Sequence, residues 1–514
     1  MNSKIYKILG FGITTLSLII GLYTRVLTYT NFVSFGPDQI RDSKVYALMK
    51  EGIWPSLGPI APLTDNLGFH LFPLYHYLIG TFTLFSKSLN TQLLINGILS
   101  FLAIPLFVLL NYRLLDNIEH NKRLMISSIG GIWFSIFVND IVNTNLAWNP
   151  SPMLFFTFLF LLLVDKLHRV KNKISLIEHF LLWTILGGTT AFLISLHTWS
   201  MVTFIPAFLI NCVYFTYFYI KTQKGRKSIY PFIGLLYLLM FLSTYIISEI
   251  SSNWLNTQNM INVITNSSST LQTSVATMIS RPFTNILSML ERTYIIQPNY
   301  YFLALPFAIF LISFFTLTFK GNKFLLTQIL LTVFIYSIGI SFYSGEMKSR
   351  YQILIWYVPI LFSISLLAYP TKNIFLNIFK LFYTIIFITT SIYFNWIYTT
   401  NFISRVYGNT KLIDTDEMTN ILSSLPERSK LCYPWGEGYD YLPQLQFIDS
   451  YITKRNHKFE NNCVYSEYYL YLKNIPNVNT SFNTKKNPQR EYPESVLILE
   501  GLSFKVFKLQ NPQN

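Results

Sequence analysis

ILGFGITTLSLIIGLYTRVLT at residues 8–28 is followed shortly by FGPDQIRD at residues 35–42. The first stretch is close to the ~20 apolar residues that cross a bilayer core. The second places Asp38, Arg41 and Asp42 just beyond its end. Charges there are not needed to hold a helix in lipid, so the octapeptide reads as chemistry carried out at the membrane surface. Gly36-Pro37 breaks the exit of the span and fixes a turn. If 38–50 is helical, Asp38 and Asp42 share a face, with Arg41 beside them. An aspartate at a partly dehydrated interface accepts a proton from a hydroxyl, or holds a cation or a substrate hydroxyl. The alternative is a helix cap with solvated charges.

The rest of the chain repeats the pattern of that first run. Of 514 residues only 12% are charged, and the mean hydropathy is +0.38, which excludes an ordinary soluble protein. Further apolar runs lie near 70–86, 91–111, 123–141, 150–165, 180–196, 200–220, 229–248, 300–319, 324–343, 351–369 and 373–396. The N-terminus resembles a secretory signal, but its run is long and no small-residue cleavage pattern follows, so it is expected to stay as an anchor. The net charge of +15 does not point to nucleic acid, because Lys and Arg gather in short loops between apolar runs. That is the pattern of cytoplasmic loops facing anionic lipid.

The basic residues sort the loops. Lys4 and Lys7 precede the first span; Arg113, Lys122 and Arg123 fill one loop. Lys166, Arg169, Lys171 and Lys173 fill a second, and Lys221, Lys224, Arg226 and Lys227 a third, with Lys320, Lys323 and Lys372 marking two more. All lie inside only if one early run fails to cross. HLFPLYHYLIGTFTLFS at 70–86, short and carrying Pro73, is the expected exception, re-entrant or lying along the outer interface. The resulting fold class is a polytopic α-helical membrane protein of about 11 spans (11–13 if early assignments change). Residues 29–90, 249–299 and the tail from about 400 then lie outside.

Residues 400–514 mix charges of both signs with strand-like pieces, SVLILE and FKVFKL, and suit a small soluble α/β domain after a transmembrane domain over 1–399. Cys212 lies in a span; Cys432 and Cys463 lie in the tail, where an oxidising exterior would allow a bridge that spacing alone does not establish. Internal repeats, phosphate-binding Gly loops, zinc-type cysteine spacing and G-x-S-x-G are absent from the sequence.

Other polar residues at outer span ends are candidate contacts. Asp65 and His70 stand in the Pro/Gly/aromatic-rich stretch 51–77 and face a polar cavity or serve as structural hydrogen-bonders. Asp140, with Asn143, Asn145 and Asn149, ends an outer span, where an acid faces protein or water rather than hydrocarbon. His197, in FLISLHTWS, contacts substrate or caps a helix. YSGEMKSRYQ at 343–352 places Lys348 and Arg350 outside, against the positive-inside trend; a phosphate ligand or anionic outer lipid explains them.

The order of FGPDQIRD, GPIAPLTDNLGFHLFPLYHYLIG, NLAWNPSPMLFFTFLFLLL, SLHTWS and SRYQILIWYVPILF over residues 8–396 resembles the multi-span glycosyltransferases of the GT-C fold. More narrowly, it is similar to bacterial and archaeal relatives of protein O-mannosyltransferases and aminoarabinose transferases. The resemblance implies a plasma-membrane enzyme of a bacterium or archaeon that takes a sugar from a polyprenyl-phosphate carrier. The acceptor would be a lipid, glycan or protein of the envelope. It implies catalysis by Asp38, with Asp42 at a less consistent acidic place. Arg350, with Lys348, would hold donor phosphate, and Arg41, Asp140 and His197 are weaker substrate contacts. Protein-mannosylating members carry Asp-Glu where this chain has Asp38-Gln39, which turns the expectation away from a protein acceptor. A divalent metal at Asp38 and Asp42 stays open, since no metal-ligand cluster accompanies them, and oligomeric state is not legible. The competing readings are a transporter or flippase of lipid-linked glycans and a non-catalytic envelope-assembly protein. A transporter predicts matched halves and deep mid-span polar residues, and neither is clear here.

Overall fold

The computed structural model describes residues 3–27, 37–61, 68–86, 88–171, 175–222, 225–266, scattered positions between 280 and 320, 320–341, 349–368, 374–408, 415–432, 442–460, 466–472, 496–500 and 504–509. The first helix, α1 (Ser3–Leu22), continues through a π turn to Leu27. Its buried positions are Gly10, Ser17 and Gly21, while Ile8, Phe11 and Ile19 are more than half exposed. Water would favour the reverse. In lipid the apolar side chains lose nothing by facing outward, and small residues let helix backbones approach.

Next come α2 (Pro37–Lys50), a two-residue hairpin of β1 (Ile60–Ala61) and β2 (Phe69–His70), and α3 (Leu74–Thr83). At ten residues α3 is about 15 Å long, half of a ~30 Å hydrocarbon core. The bundle proper then begins with α4 (Thr91–Leu114) and α5 (His120–Ser135), followed by the short α6 (Val138–Asn145) at 48° to α5. Beyond it stand α7 (Met153–Val170), α8 (Leu176–Leu196), α9 (Thr198–Lys221) and the bent pair α10 (Tyr230–Phe241) and α11 (Ser243–Ser251). The helices α12 (Leu255–Asn266), α13 (Lys323–Ser341), α14 (Val358–Ala368) and the 35-residue α15 (Ile374–Gly408) complete it.

Among the described residues, five helices are long and apolar enough to cross a membrane, or seven if each bent pair is one span. The expected 11 are not confirmed by these. The helix at 153–170 carries Asp165, Lys166 and Arg169, α14 has only 11 residues, and run 300–319 lies largely outside the described residues.

Three basic loops meet at one end of the bundle. Asp116 pairs with Arg123 at 2.8 Å and Arg169 at 2.9 Å; Arg169 also holds Asp165 at 2.8 Å. Asn322 donates to Asp165 at 2.9 Å, and its backbone N–H to Leu114 O at the end of α4. Some 36 Å away along the 24 residues of α4, its first turn meets α2 and the tail.

Between these ends the helix α5 breaks, and an arginine from the first apolar run fills the break. Ending α5 frees its last carbonyls. Arg25 donates to Ser135 O at 2.5 Å and Phe134 O at 2.8 Å. The same guanidinium pairs with Asp140, in the first turn of α6, at 2.9 Å, and Ser100 donates to that carboxylate at 2.9 Å. Thr399, from α15, donates to Ile136 O at 2.9 Å, and Val138 N–H donates to Asn395 at 3.3 Å.

In the tail, α16 (Thr415–Ser424) and the short α17 (Leu442–Phe447) accompany a five-stranded mixed sheet ordered β4-β3-β5-β7-β6. Here β3 (Lys430–Cys432) runs parallel to β4 (Lys458–Glu460) and β5 (Tyr468–Leu472), and β7 (Phe504–Lys508) runs antiparallel to β5 and β6 (Val496–Glu500). The pieces SVLILE and FKVFKL form the β6–β7 pair. Cys432 is disulfide-bonded and Cys212 is free; Cys463 lies outside the described residues.

The break at α5 predicts a specific double-mutant result. With Arg25 and Asp140 both essentially inaccessible, Arg25→Ala strands a buried carboxylate and should destabilise by about 3–5 kcal/mol. Arg25→Met with Asp140→Leu should recover part of that loss, read as thermal stability in detergent. At the crossing of α8 and α10, a Cβ on Gly187 would lie 2.2 Å from Gly234 O. Gly187→Val should therefore lower the melting temperature, with a penalty of about 1–3 kcal/mol or more because backbone must move.

Candidate functional site

The site is built on α2, whose first turn opens at Pro37, where the missing N–H is one no helix start can use. Arg41 lies between the two acids as the one-turn spacing requires. Its Nη1 donates to Asp38 Oδ1 at 3.0 Å, and its Nε and Nη2 both donate to Asp42 Oδ1 at 2.9 and 2.8 Å. A longer bond of 3.3 Å runs from Nη1 to Ile60 O in the hairpin. The two acids differ in environment. The Asp38 side chain is 32% exposed, whereas that of Asp42 is fully buried.

Burial pushes the Asp42 carboxyl up to about 6, against the pull of Arg41, which favours its charged form. Asp42 Oδ2 has no hydrogen-bond partner among the described residues. An accessible carboxylate, a guanidinium and a buried acceptor with a free oxygen thus share one helix turn.

Beneath Asp42 lies a floor of buried polar side chains. Tyr46 OH and His76 Nδ1 are 3.2 Å apart, and Tyr75 OH lies 2.9–3.1 Å from the Asn96 amide. Burial, with Arg41 nearby, lowers His76 to about 3, so its ring is neutral. Met49, one turn beyond Tyr46, occupies the space over Gly80 on α3, where a Cβ would come within 2.3 Å of its Cε.

Gln39 does not face this cluster. It is buried and donates Nε2 to Leu146 O at 2.5 Å, next to Gln92, which donates to Ala147 O at 2.7 Å. A glutamate at position 39 could not donate to that carbonyl when ionised. Gln39 thus clamps the turn after α6, where Ala147 takes φ 48°.

The remaining sequence candidates are placed elsewhere. Asp140 is buried and pairs with Arg25 and Ser100, which ties the end of the first apolar run and α4 to α6. His197 is the N-cap of α9 and accepts from Trp199 N–H at 3.2 Å through Nδ1, the capping alternative of the sequence reading. His70 is tied into the hairpin through Nδ1 and Gly58 O at 2.8 Å, and its backbone N–H donates to Asn256 Oδ1 of α12. Asp65 and Lys348 lie outside the described residues. Arg350 stands in the 3-10 turn Ser349–Ile355, with its side chain outside them.

The sequence reading passed over Arg25 and Tyr46, and took His76 only as a polar residue in the run 70–86. Arg25 had a legible signal, a lone arginine inside an apolar run, which calls for an acid on another helix. Tyr46 lies four residues after Asp42 and shares its face. His76 had no signal beyond its place in an apolar run.

No family model matches the chain, and no curated protein matches it. Among solved structures, ArnT from Cupriavidus metallidurans bound to undecaprenyl phosphate is similar over 96% of this chain and 97% of its own, with a TM-score of 0.51 at 9% identity. The chain has the GT-C fold. The archaeal oligosaccharyltransferase AglB from Archaeoglobus fulgidus, in complex with an inhibitory peptide and a dolichol-phosphate, is similar over 90% of this chain and 69% of its own, with a TM-score of 0.49 at 11% identity. Only the first likeness is close enough in shape to speak for the fold. The described residues contain no group of three or more His, Cys, Asp or Glu arranged for a metal. Arg41 engages Oδ1 of both Asp38 and Asp42.

Asp42 gives the site a pH signature. Its folded value of about 6 exceeds the ordinary 3.8, so the folded protein binds the proton more tightly than the unfolded chain. Its contribution to stability is therefore greatest below 3.8 and declines as pH rises towards 6. Asp42→Asn should remove this slope from the thermal stability of the protein, measured across pH 4–7.

Proposed function

We propose that this chain is a membrane glycosyltransferase that moves a sugar from a polyprenyl-phosphate donor to a hydroxyl-bearing envelope acceptor on the extracytoplasmic side. The observation that carries the reading is the Asp38–Arg41–Asp42 constellation, with one carboxylate open and one buried. Sidedness rests on the basic loops gathered at the far end of α4, which the positive-inside rule assigns to the cytoplasm. The fold likeness to ArnT, crystallised with undecaprenyl phosphate, supports a lipid-phosphate donor.

In this reading Asp38 accepts the proton of the acceptor hydroxyl as its oxygen attacks the anomeric carbon. The bond from that carbon to the phosphate oxygen breaks, and its electron pair leaves with polyprenyl phosphate. A single displacement inverts the anomeric configuration. Phosphate is already a tolerable leaving group, so the protein must supply a base and charge stabilisation. Arg41 fixes Asp38 in orientation, and Asp42, one turn further, holds Arg41 through two donors. Arg350 and Lys348 are assigned to the donor phosphate, for which the guanidinium fork is suited.

Purified Asp38→Asn should fold normally and lose at least 100-fold in sugar transfer, in line with the usual worth of a general base. Transfer at the wild-type rate would remove Asp38 from the base role. Arg350→Ala should raise the donor concentration needed for half-maximal transfer, and an unchanged donor dependence would move the phosphate site elsewhere.

A further inference from the structure

The helix that carries the acids is held on two sides by different parts of the chain. Along α2, Val45, Tyr46 and Met49 pack into the bundle core with Leu74, Tyr75 and Ile79. The opposite stripe, at positions 40, 44 and 51, meets the tail. Ile40 is buried in a cluster with Met418, Leu422, Leu445 and Phe447. Lys44 Nζ lies 5.6 Å from the centre of the Tyr451 ring, and Glu51 pairs with Lys454 at 2.6 Å.

The same tail unit reaches the other walls around α2. Asp416 accepts from Ser88 Oγ at 2.9–3.0 Å, and Thr415 donates to Asn90 at 3.3 Å, just before α4 begins. Leu93 of α4 and Ala147, in the turn clamped by Gln39 and Gln92, share the tail's apolar cluster. A 14-residue helix with polar residues facing both ways is not fixed by burial in lipid. Its position is set by what packs on each stripe, and one stripe belongs to the tail.

We infer that the C-terminal unit positions the acid-bearing helix, with Ile40 and Lys44 acting as positioning residues for Asp38, so that docking of the tail governs turnover rather than hold on the lipid phosphate. The inference rests on the proposed transferase reading for its kinetic consequence, and on α2 alone for its structural one. It also predicts that the tail acts at the distance of one helix diameter, through side chains that never touch substrate.

The test uses the full chain in lipid nanodiscs, with Ile40→Ala, Ile40→Leu and Lys44→Ala variants. Sugar transfer, binding of undecaprenyl phosphate as probe, and amide hydrogen exchange over residues 37–50 are measured together. Ile40→Ala should lower turnover at least tenfold and leave undecaprenyl phosphate affinity within twofold. Exchange in α2 should speed up at least tenfold while α4 and α5 stay protected, and Ile40→Leu should restore both readouts to within threefold of wild type. Lys44→Ala should move turnover and α2 exchange in the same direction by a smaller factor. Unchanged α2 exchange in Ile40→Ala would overturn the inference whether or not the chain transfers sugar. Parallel loss of turnover, affinity and protection throughout the bundle would overturn it too, by making Ile40 a general stability residue. Absence of transfer in the wild type, with faster α2 exchange in Ile40→Ala, would count against the transferase reading and leave the positioning of α2 standing.

Discussion

Arg25 is the constraint on which the α2 end of the bundle depends. A guanidinium at the end of an apolar helix is costly in hydrocarbon unless its donors are taken up inside protein. The break between α5 and α6 supplies acceptors that a continuous helix would keep for itself, Phe134 O and Ser135 O, together with the Asp140 carboxylate. Neither partner is tolerable alone: the break needs donors, and the arginine needs acceptors. Their meeting fixes where the first span ends, and so where the chain that follows begins to build α2. It also sends α6 away from α5 at 48°, carrying the Leu146–Ala147 turn to the side chains of Gln39 and Gln92.

The site on α2 shows how one helix turn gives two carboxylates different chemistry. Asp38 and Asp42 are bound by the same guanidinium, yet one is open and the other buried. Burial raises the proton affinity of Asp42, and Arg41 limits that rise. The result is an open acid held in orientation by a cation that is itself held by a buried acid. The polar floor of Tyr46, His76, Tyr75 and Asn96 lets a charged pair sit against an otherwise apolar bundle without facing hydrocarbon.

Much of this was legible before any coordinates. Helical spacing alone places Asp38, Arg41 and Asp42 together, because residues three and four apart are neighbours on a helix. Pro37 and the polar turn before α4 mark where α2 and α4 start. The sorting of basic loops anticipates that residues 113–123, 165–171 and 320–323 gather at one end. What was not legible were roles set by partners far away in the chain. Asp140 looks like a functional acid until Arg25, 115 residues earlier, is seen beside it. His197 and His70 carry the same chemistry as a substrate-binding imidazole, and only the fold shows that their Nδ1 atoms meet the Trp199 amide and the Gly58 carbonyl.

By itself, the sequence determined a chain of apolar helices, the gathering of their basic loops at one end, and a one-turn acid–base cluster after the first of them. These depend on local quantities: run length against bilayer thickness, charge per loop, and a period of 3.6 residues. Only the tertiary structure decided which acids are free and which are spent on the fold, and that the tail rests on the helix bearing Asp38. Those outcomes depend on desolvation and on pairing between residues tens to hundreds of positions apart, and no local pattern encodes which distant donor a buried carboxylate will meet.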